Sequence, residues 1–126
     1  MKNRPNILWI TIDAARKDRF SCYGYKNQTT PFIDSLAENC IFFENAYTVA
    51  PWTLPSVASM FTGLYPSEHG AINEETKLKE GIITIAEYLK KRGYETFMIT
   101  QNDGWINPFF GLTKGFNTVF DIEEMI

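Results

Sequence analysis

Asn6-Ile7-Leu8-Trp9-Ile10-Thr11-Ile12 is a short, nearly continuous apolar run rich in β-branched residues. Such a run predicts a strand buried on both faces, the habit of a central parallel strand. It ends at Asp13, and open α/β sheets place their ligands at the carboxyl ends of their strands. Position alone leaves two roles for Asp13: a ligand, or an N-cap for the turn Ala14-Ala15-Arg16-Lys17-Asp18. Further along, Cys40 to Phe43 predicts a second strand running towards Tyr47, and Tyr94 to Thr100 a third. Helical spacing fills the intervals. Thr30 and Pro31 open a helix carrying Phe32, Ile33, Leu36 and Ala37 on one side, ended by Asn39. Val57 to Thr62 predicts another, closed by Gly63, with Thr53 placed to cap its start. Thr84 to Arg92, closed by Gly93, predicts a third. Strand, helix, strand in this order implies a right-handed crossover into a parallel sheet. Tyr65 to Gly70 reads as a turn, and from Gln101 to Asp121 no helical period appears.

Composition sets the class. The 126 residues are 44% hydrophobic and 15% aromatic, which suits one packed domain or a piece of one and argues against disorder. Fifteen acidic against twelve basic side chains give a net charge of −3. Nucleic-acid binding needs a dense basic face, so that partner is excluded here. The tightest basic cluster, Lys90-Lys91-Arg92, sits where a helix C-terminus favours positive charge. No segment reaches the roughly 18–20 apolar residues of a membrane span. The opening Met1-Lys2-Asn3-Arg4-Pro5 and the short run behind it lack the pattern of a secretory signal, so a cytoplasmic location without membrane attachment is expected. Cys22 and Cys40 are too few for a disulfide framework, and free thiols are expected, with Cys40 in the core.

If the strands are parallel, Asp13, Thr53 and the polar run Thr100, Gln101 and Asn102 meet at one edge of the sheet. A hydroxyl is a poor nucleophile until a base or a bound cation activates it, and a carboxylate must hold that cation. Such a set suits attack on a phosphate or sulfate ester. Arg16 is a candidate clamp for a phosphate oxygen, with an ion pair to Asp18 or Asp34 as its alternative. Asn73 is a candidate substrate contact, with a turn-forming role as its alternative. Gln101 and Asn102 complete the candidate substrate contacts. Trp52 and Tyr65 either line a pocket or pack in the core. The single histidine, His69, lies in the stretch Tyr65 to Gly70 that reads as a turn.

Three stretches carry a resemblance: Pro5 to Asp13, Cys22-Tyr23-Gly24 with Thr30 to Ala37, and Pro55-Ser56-Val57-Ala58-Ser59-Met60-Phe61-Thr62-Gly63-Leu64-Tyr65-Pro66 with His69-Gly70. Phe43 to Tyr47 and Thr84 to Leu89 with Gly93-Tyr94 agree with it. Together they resemble the opening of the sulfatase family within the alkaline phosphatase superfamily. The resemblance implies an α/β fold: a parallel-sheet core with flanking helices, alkaline-phosphatase-like, of which residues 1–126 are the N-terminal portion. It implies a metal-dependent hydrolase of small sulfate, phosphate or phosphonate esters. Asp13 becomes a metal ligand, and Thr53 occupies the nucleophile position and touches the metal, a divalent ion such as Ca, Mg, Mn or Zn. The sequence departs from the pattern at Ala14, Val57 and Gln101–Asn102, where the family carries aspartate, arginine and lysine. Thr53 stands where sulfatases carry the Cys or Ser that becomes formylglycine. Threonine cannot form that aldehyde, because its β-carbon already bears a methyl, so no formylglycine is expected and a phosphorus ester is favoured over sulfate. The resemblance places His69 in the turn after the nucleophile helix, as a structural residue rather than a ligand, and the remaining metal ligands are expected outside this chain, which leaves it inactive or nearly so alone. The alternative is a non-catalytic module of the same fold that binds an anion or a partner. Phe109, Phe110 and Phe116 are expected to form an apolar face open to self-association.

Overall fold

The computed structural model describes residues 4–122. The chain divides into two compact units, Met1–Ala46 and Tyr47–Ile126. Residues 1–3 of the opening Met1-Lys2-Asn3-Arg4-Pro5 lie outside the described residues.

The first unit holds two short 3₁₀ turns, Lys17–Arg19 and Ser21–Tyr23, and helix α1, Pro31–Ala37. Pro31 occupies the first helical position, where a missing N–H costs nothing. A side-chain network ties α1 to the second turn. Ser21 Oγ donates to Asp34 Oδ2 at 2.6 Å, and Thr30 Oγ1 donates to Asp34 Oδ1 at 2.9 Å. The amides of Ser21 and Thr30 donate to each other's hydroxyls, each at 3.1 Å. The Ser21 hydroxyl, with Thr30 beside it, holds the Asp34 carboxyl below its ordinary range. None of residues 4–46 is buried.

Two expectations fail in this unit. Residues 6–12 form no strand: Ile7, Leu8, Ile10 and Ile12 are 56%, 84%, 72% and 55% exposed. Residues 40–43 are also irregular, and Cys40 is exposed rather than in the core. The reason is common to both. A strand exists through the ladder it shares with a neighbour, and the one sheet among the described residues has two strands, both in the second unit. The thiols of Cys22 and Cys40 are free.

The second unit is built on helix α2, Thr53–Thr62. It starts four residues before the expected Val57, because Pro55 lies in the first turn, where no N–H is needed. Gly63 ends it in the left-handed conformation, φ 71°. Helix α3, Pro66–His69, stands where a turn was expected, with Gly70 behind it at φ 82°. Helix α4, Ile85–Lys91, opens on a capping box: Thr84 Oγ1 accepts from the Glu87 amide at 3.2 Å, and Glu87 Oε2 accepts from the Thr84 amide at 2.9 Å. The same Thr84 hydroxyl donates to the Lys114 carbonyl at 2.8 Å, which fastens α4 to the distant segment 114–117. Lys90 and Lys91 lie in the last turn, and the Arg92 guanidinium stacks 3.5 Å from the Tyr88 ring centroid. No helix of the described residues is long and apolar enough to cross a membrane.

Strand β1, Phe97–Thr100, pairs in parallel with β2, Thr118–Asp121, in the register Phe97↔Thr118 to Thr100↔Asp121. The sheet keeps the expected parallel sense, although β2 was not legible as a strand. Met98 and Thr100 turn inward, 7% and 8% exposed, whereas Phe97, Ile99 and Phe120 stay open on the other face. Thr96 fixes the entry to the pair. Its hydroxyl lies 2.6 Å from the Gly115 carbonyl, and its own carbonyl accepts from the Asn117 amide at 2.8 Å. The core is Leu54, Val57, Ala58, Ala71, Leu78, Phe110 and Leu112, flanked by Trp52, Phe61, Trp105 and Ile106. Phe110 is thus interior, not part of an exposed face, and Phe116 is half-buried against Phe61, ring centroids 6.1 Å apart. Phe109 does face solvent, at 58% exposure.

Candidate functional site

Asp13 and Arg16 belong to the first unit; Thr53, Asn73, Gln101 and Asn102 belong to the second. Asp13 sits at a turn, not at a helix start. Its Oδ1 accepts from the Ala14 amide at 2.9 Å. Ala14 has φ 54°, the one non-glycine residue in the left-handed region among those described. A side chain held there is strained, and such strain gathers at functional turns. Arg16 takes the alternative role: its Nε and Nη2 donate to Asp18 at 2.9 and 2.6 Å. The hydrogen bond to the guanidinium holds the Asp18 carboxyl below its ordinary value.

Thr53 is the first residue of α2, and the cap position belongs to Trp52. The expectation that Thr53 caps the helix is therefore corrected: its backbone is already helical, whereas a cap residue is extended, as Trp52 is at φ −148°, ψ 170°. No side chain caps this end. Thr53 is half-buried, and the amides of Thr53 and Leu54 enter the helix uncapped, the arrangement that favours an anion at an N-terminus. The loop before it is pinned by Thr48. Its hydroxyl donates to the Ala50 carbonyl at 2.8 Å and lies 3.0 Å from Ser56 Oγ.

His69 is fully buried. Its Nδ1 accepts from the Ala71 amide at 3.1 Å, and its Nε2 lies 3.0 Å from Ser59 Oγ. An accepting Nδ1 carries no proton, so the neutral ring holds its proton on Nε2 and donates it to Ser59. Burial lowers the His69 pKa from its ordinary value, and the Lys79 cation lowers it further, against the Pro55 carbonyl and the Glu68 carboxylate. His69 is a structural residue, as expected.

Asn73 takes its turn-forming role: Oδ1 accepts from the Glu75 amide at 3.0 Å. It also lines a cleft of about 570 Å³ together with Trp52, Glu74, Glu75 and Trp105. Trp52 and Trp105 meet edge to face, centroids 4.9 Å apart at 84°. Glu74, Glu75 and Trp105 carried no signal of their own in the sequence; two acids in a polar stretch and one aromatic among many read as surface and core. Tyr65, by contrast, is 64% exposed and neither packs in the core nor lines this cleft. Gln101 is exposed just past β1. Asn102 is half-buried, and its backbone amide donates to Thr100 Oγ1 at 3.0 Å.

The donors proposed for a cation are a carboxylate and a hydroxyl, both hard oxygen ligands suited to Ca, Mg or Mn. Among the described residues no group of three His, Cys, Asp or Glu side chains gathers to hold a metal ion. The two proposed residues therefore fit such an ion in donor type and supply only part of a shell.

A family model described as "Sulfatase" matches residues 5–126. An ulvan-active sulfatase of Formosa agariphila is 33% identical over 98 residues, 78% of this chain and 20% of that protein. An N-acetylgalactosamine-6-O-sulfatase of Bacteroides thetaiotaomicron is 36% identical over 101 residues, 76% of this chain and 20% of that protein. The chain spans about a fifth of the length of these relatives. Among solved structures, a phosphonate monoester hydrolase of Agrobacterium radiobacter superposes with TM-score 0.77 and 25% identity, over 91% of this chain and 25% of that one. The alkaline-phosphatase-like α/β fold is thereby established for this chain.

Proposed function

Since this chain belongs to the sulfatase family, we propose that residues 1–126 form the N-terminal portion of a metal-dependent catalytic domain that hydrolyses small sulfate, phosphate or phosphonate esters. Thr53 is the proposed nucleophile, and Asp13 and Thr53 are the proposed ligands of a divalent metal. The observation that carries the reading is the position of Thr53, half-buried on the first turn of an uncapped ten-residue helix. There the hydroxyl stands beside backbone donors that favour the anionic oxygens of a tetrahedral ester.

In this reading Thr53 Oγ–H gives its proton to solvent and Oγ bonds phosphorus or sulfur as the bond to the leaving alcohol breaks, the alcohol oxygen taking up a proton; water then attacks the same atom, releasing the acid and restoring the Thr53 hydroxyl. A divalent cation supplies Lewis-acid activation when bound. The uncapped amides of α2 hold the negative charge that develops on the ester oxygens. The phosphonate monoester hydrolase likeness supports a phosphorus ester, and the threonine side chain, which yields no formylglycine, points the same way. Asn73, Gln101 and Asn102 are proposed substrate contacts. Arg16 is one as well, on condition that a substrate displaces its exposed pairing with Asp18, a kind of pair that stabilises little.

The test uses the intact protein and a panel of aryl sulfates, phosphate diesters and phosphonates with Ca²⁺, Mg²⁺, Mn²⁺ and Zn²⁺. Thr53→Ala should lower kcat by about a thousandfold or more with the fold retained, as loss of a nucleophile does. Retention of most activity rules Thr53 out. The tryptic peptide containing residue 53 should have the unmodified threonine mass. Asp13→Ala should lower metal content and rate together; unchanged metal content removes Asp13 from the ligand set.

A further inference from the structure

We propose that the cleft between Trp52, Trp105, Asn73, Glu74 and Glu75 is a binding site for an organic ammonium group. The argument starts from its walls. Two indole rings stand nearly perpendicular, 84° apart with centroids at 4.9 Å, and form an aromatic corner. Trp105 is backed by Phe110, centroids 5.8 Å apart, and Trp52 packs against the core, so neither ring swings freely. The negative face of an indole attracts a cation, and tryptophan does so best among the aromatic side chains.

Two lining carboxylates add the charge that a cation needs. Glu74 and Glu75 line the cleft and no Lys, Arg or His does. Neither glutamate is in an ion pair among the described residues. Their segment is a built turn. The Ile72 and Asn73 amides both donate to Thr76 Oγ1 at 2.9 Å, the Thr76 amide donates to the Asn73 carbonyl at 3.1 Å, and the Glu75 amide donates to Asn73 Oδ1. The carboxylates that line the cleft are thus carried on a hydrogen-bonded backbone turn. An anionic ligand meets two unneutralised carboxylates there. A neutral apolar ligand gains from the rings but nothing from the acids. A cation with an apolar shell, a primary or quaternary ammonium, uses both. The volume of about 570 Å³ accommodates it with space to spare. This site stands whether or not Thr53 attacks an ester, although it opens beside the residue that precedes Thr53.

The test is a titration of the intact protein with tetramethylammonium chloride at constant ionic strength, followed by the indole N–H resonances in ¹⁵N-labelled protein. Single Trp→Phe variants assign the signals of Trp9, Trp52 and Trp105. Those of Trp52 and Trp105 should shift saturably while that of Trp9, in the other unit, stays fixed. tert-Butanol, a neutral molecule of similar size, should shift them at least fivefold more weakly, and glucose should behave like tert-butanol. Glu74→Gln with Glu75→Gln, both exposed positions, should weaken ammonium binding about fivefold and leave the spectrum otherwise folded. Trp105→Phe should weaken it as well. Equal binding of tert-butanol or glucose overturns cation recognition. Absence of any saturable shift, or full affinity in the double glutamine variant, overturns the site. None of these readouts depends on turnover, so loss of activity in Thr53→Ala neither supports nor sinks it.

Discussion

Replacing the one histidine isolates a single titration. His69 is fully buried and neutral, with Nδ1 accepting from Ala71 N–H and Nε2–H donating to Ser59. Its pKa lies below the ordinary 6.5, chiefly through burial. The unfolded chain therefore binds a proton that the folded chain refuses. The stability that neutral His69 contributes is fully present above pH 6.5 and is lost as pH falls from there towards the folded-state value. If the folded ring takes up no proton, the loss between pH 7.5 and 5.5 amounts to about 1.4 kcal/mol. His69→Asn keeps an acceptor for the Ala71 amide but strands the Ser59 hydroxyl and opens a small void. At pH 7.5 it should cost about 2–4 kcal/mol. Urea unfolding at half-unit pH intervals from 7.5 to 5.5 measures both effects. Carboxylates that begin to titrate near the lower end are common to both proteins, so the difference between wild type and variant reads His69 alone. The gap should narrow as the pH drops, by at most about 1.4 kcal/mol. A gap that stays constant, or one that widens, refutes the buried neutral ring.

Two further outcomes follow from backbone packing. A Cβ at Gly115, whose φ is 91°, would fall 2.6 Å from the Ala86 carbonyl carbon and 2.7 Å from Glu87 Cα. Gly115→Ala should therefore cost about 3 kcal/mol or more in urea unfolding, whereas Gly24→Ala, at the same φ with open space around it, should cost only about 1 kcal/mol. Thr84→Ala removes the α4 cap and leaves the Lys114 carbonyl without its donor. It should cost about 2–3 kcal/mol, while Thr84→Ser, which keeps the hydroxyl, should recover most of that in the same assay.

The parts of the fold legible in the sequence are those decided within a few residues. Gly63 stops α2 because only a left-handed residue closes that turn. The start of the third helix at Thr84 was legible too, and the reciprocal Thr84–Glu87 bonds that fix it are what the structure adds. His69 read as structural, and its burial bears that out. The failures are matters of long-range pairing. The run from Ile7 to Ile12 has strand composition, but composition supplies no ladder partner, and here the segment is exposed coil. The reverse holds for β2: Thr118 to Asp121 is four residues long, too short for a period, and becomes a strand because Thr96 and β1 receive it. In the candidate site, the place of Thr53 at a helix start was legible, although one turn of that helix was not. Trp105 was not, because nothing local distinguishes an aromatic wall of a cleft from one of the core.

The protonation pattern of His69 also decides what an added cation can report. Both ring nitrogens are spent inside the protein, one on an amide and one on a serine, and no second imidazole exists in the chain. Any Mn²⁺ that this chain takes up is held through oxygen. Its electron spin echo then carries the modulation of surrounding water deuterons in D₂O and none from ring nitrogen.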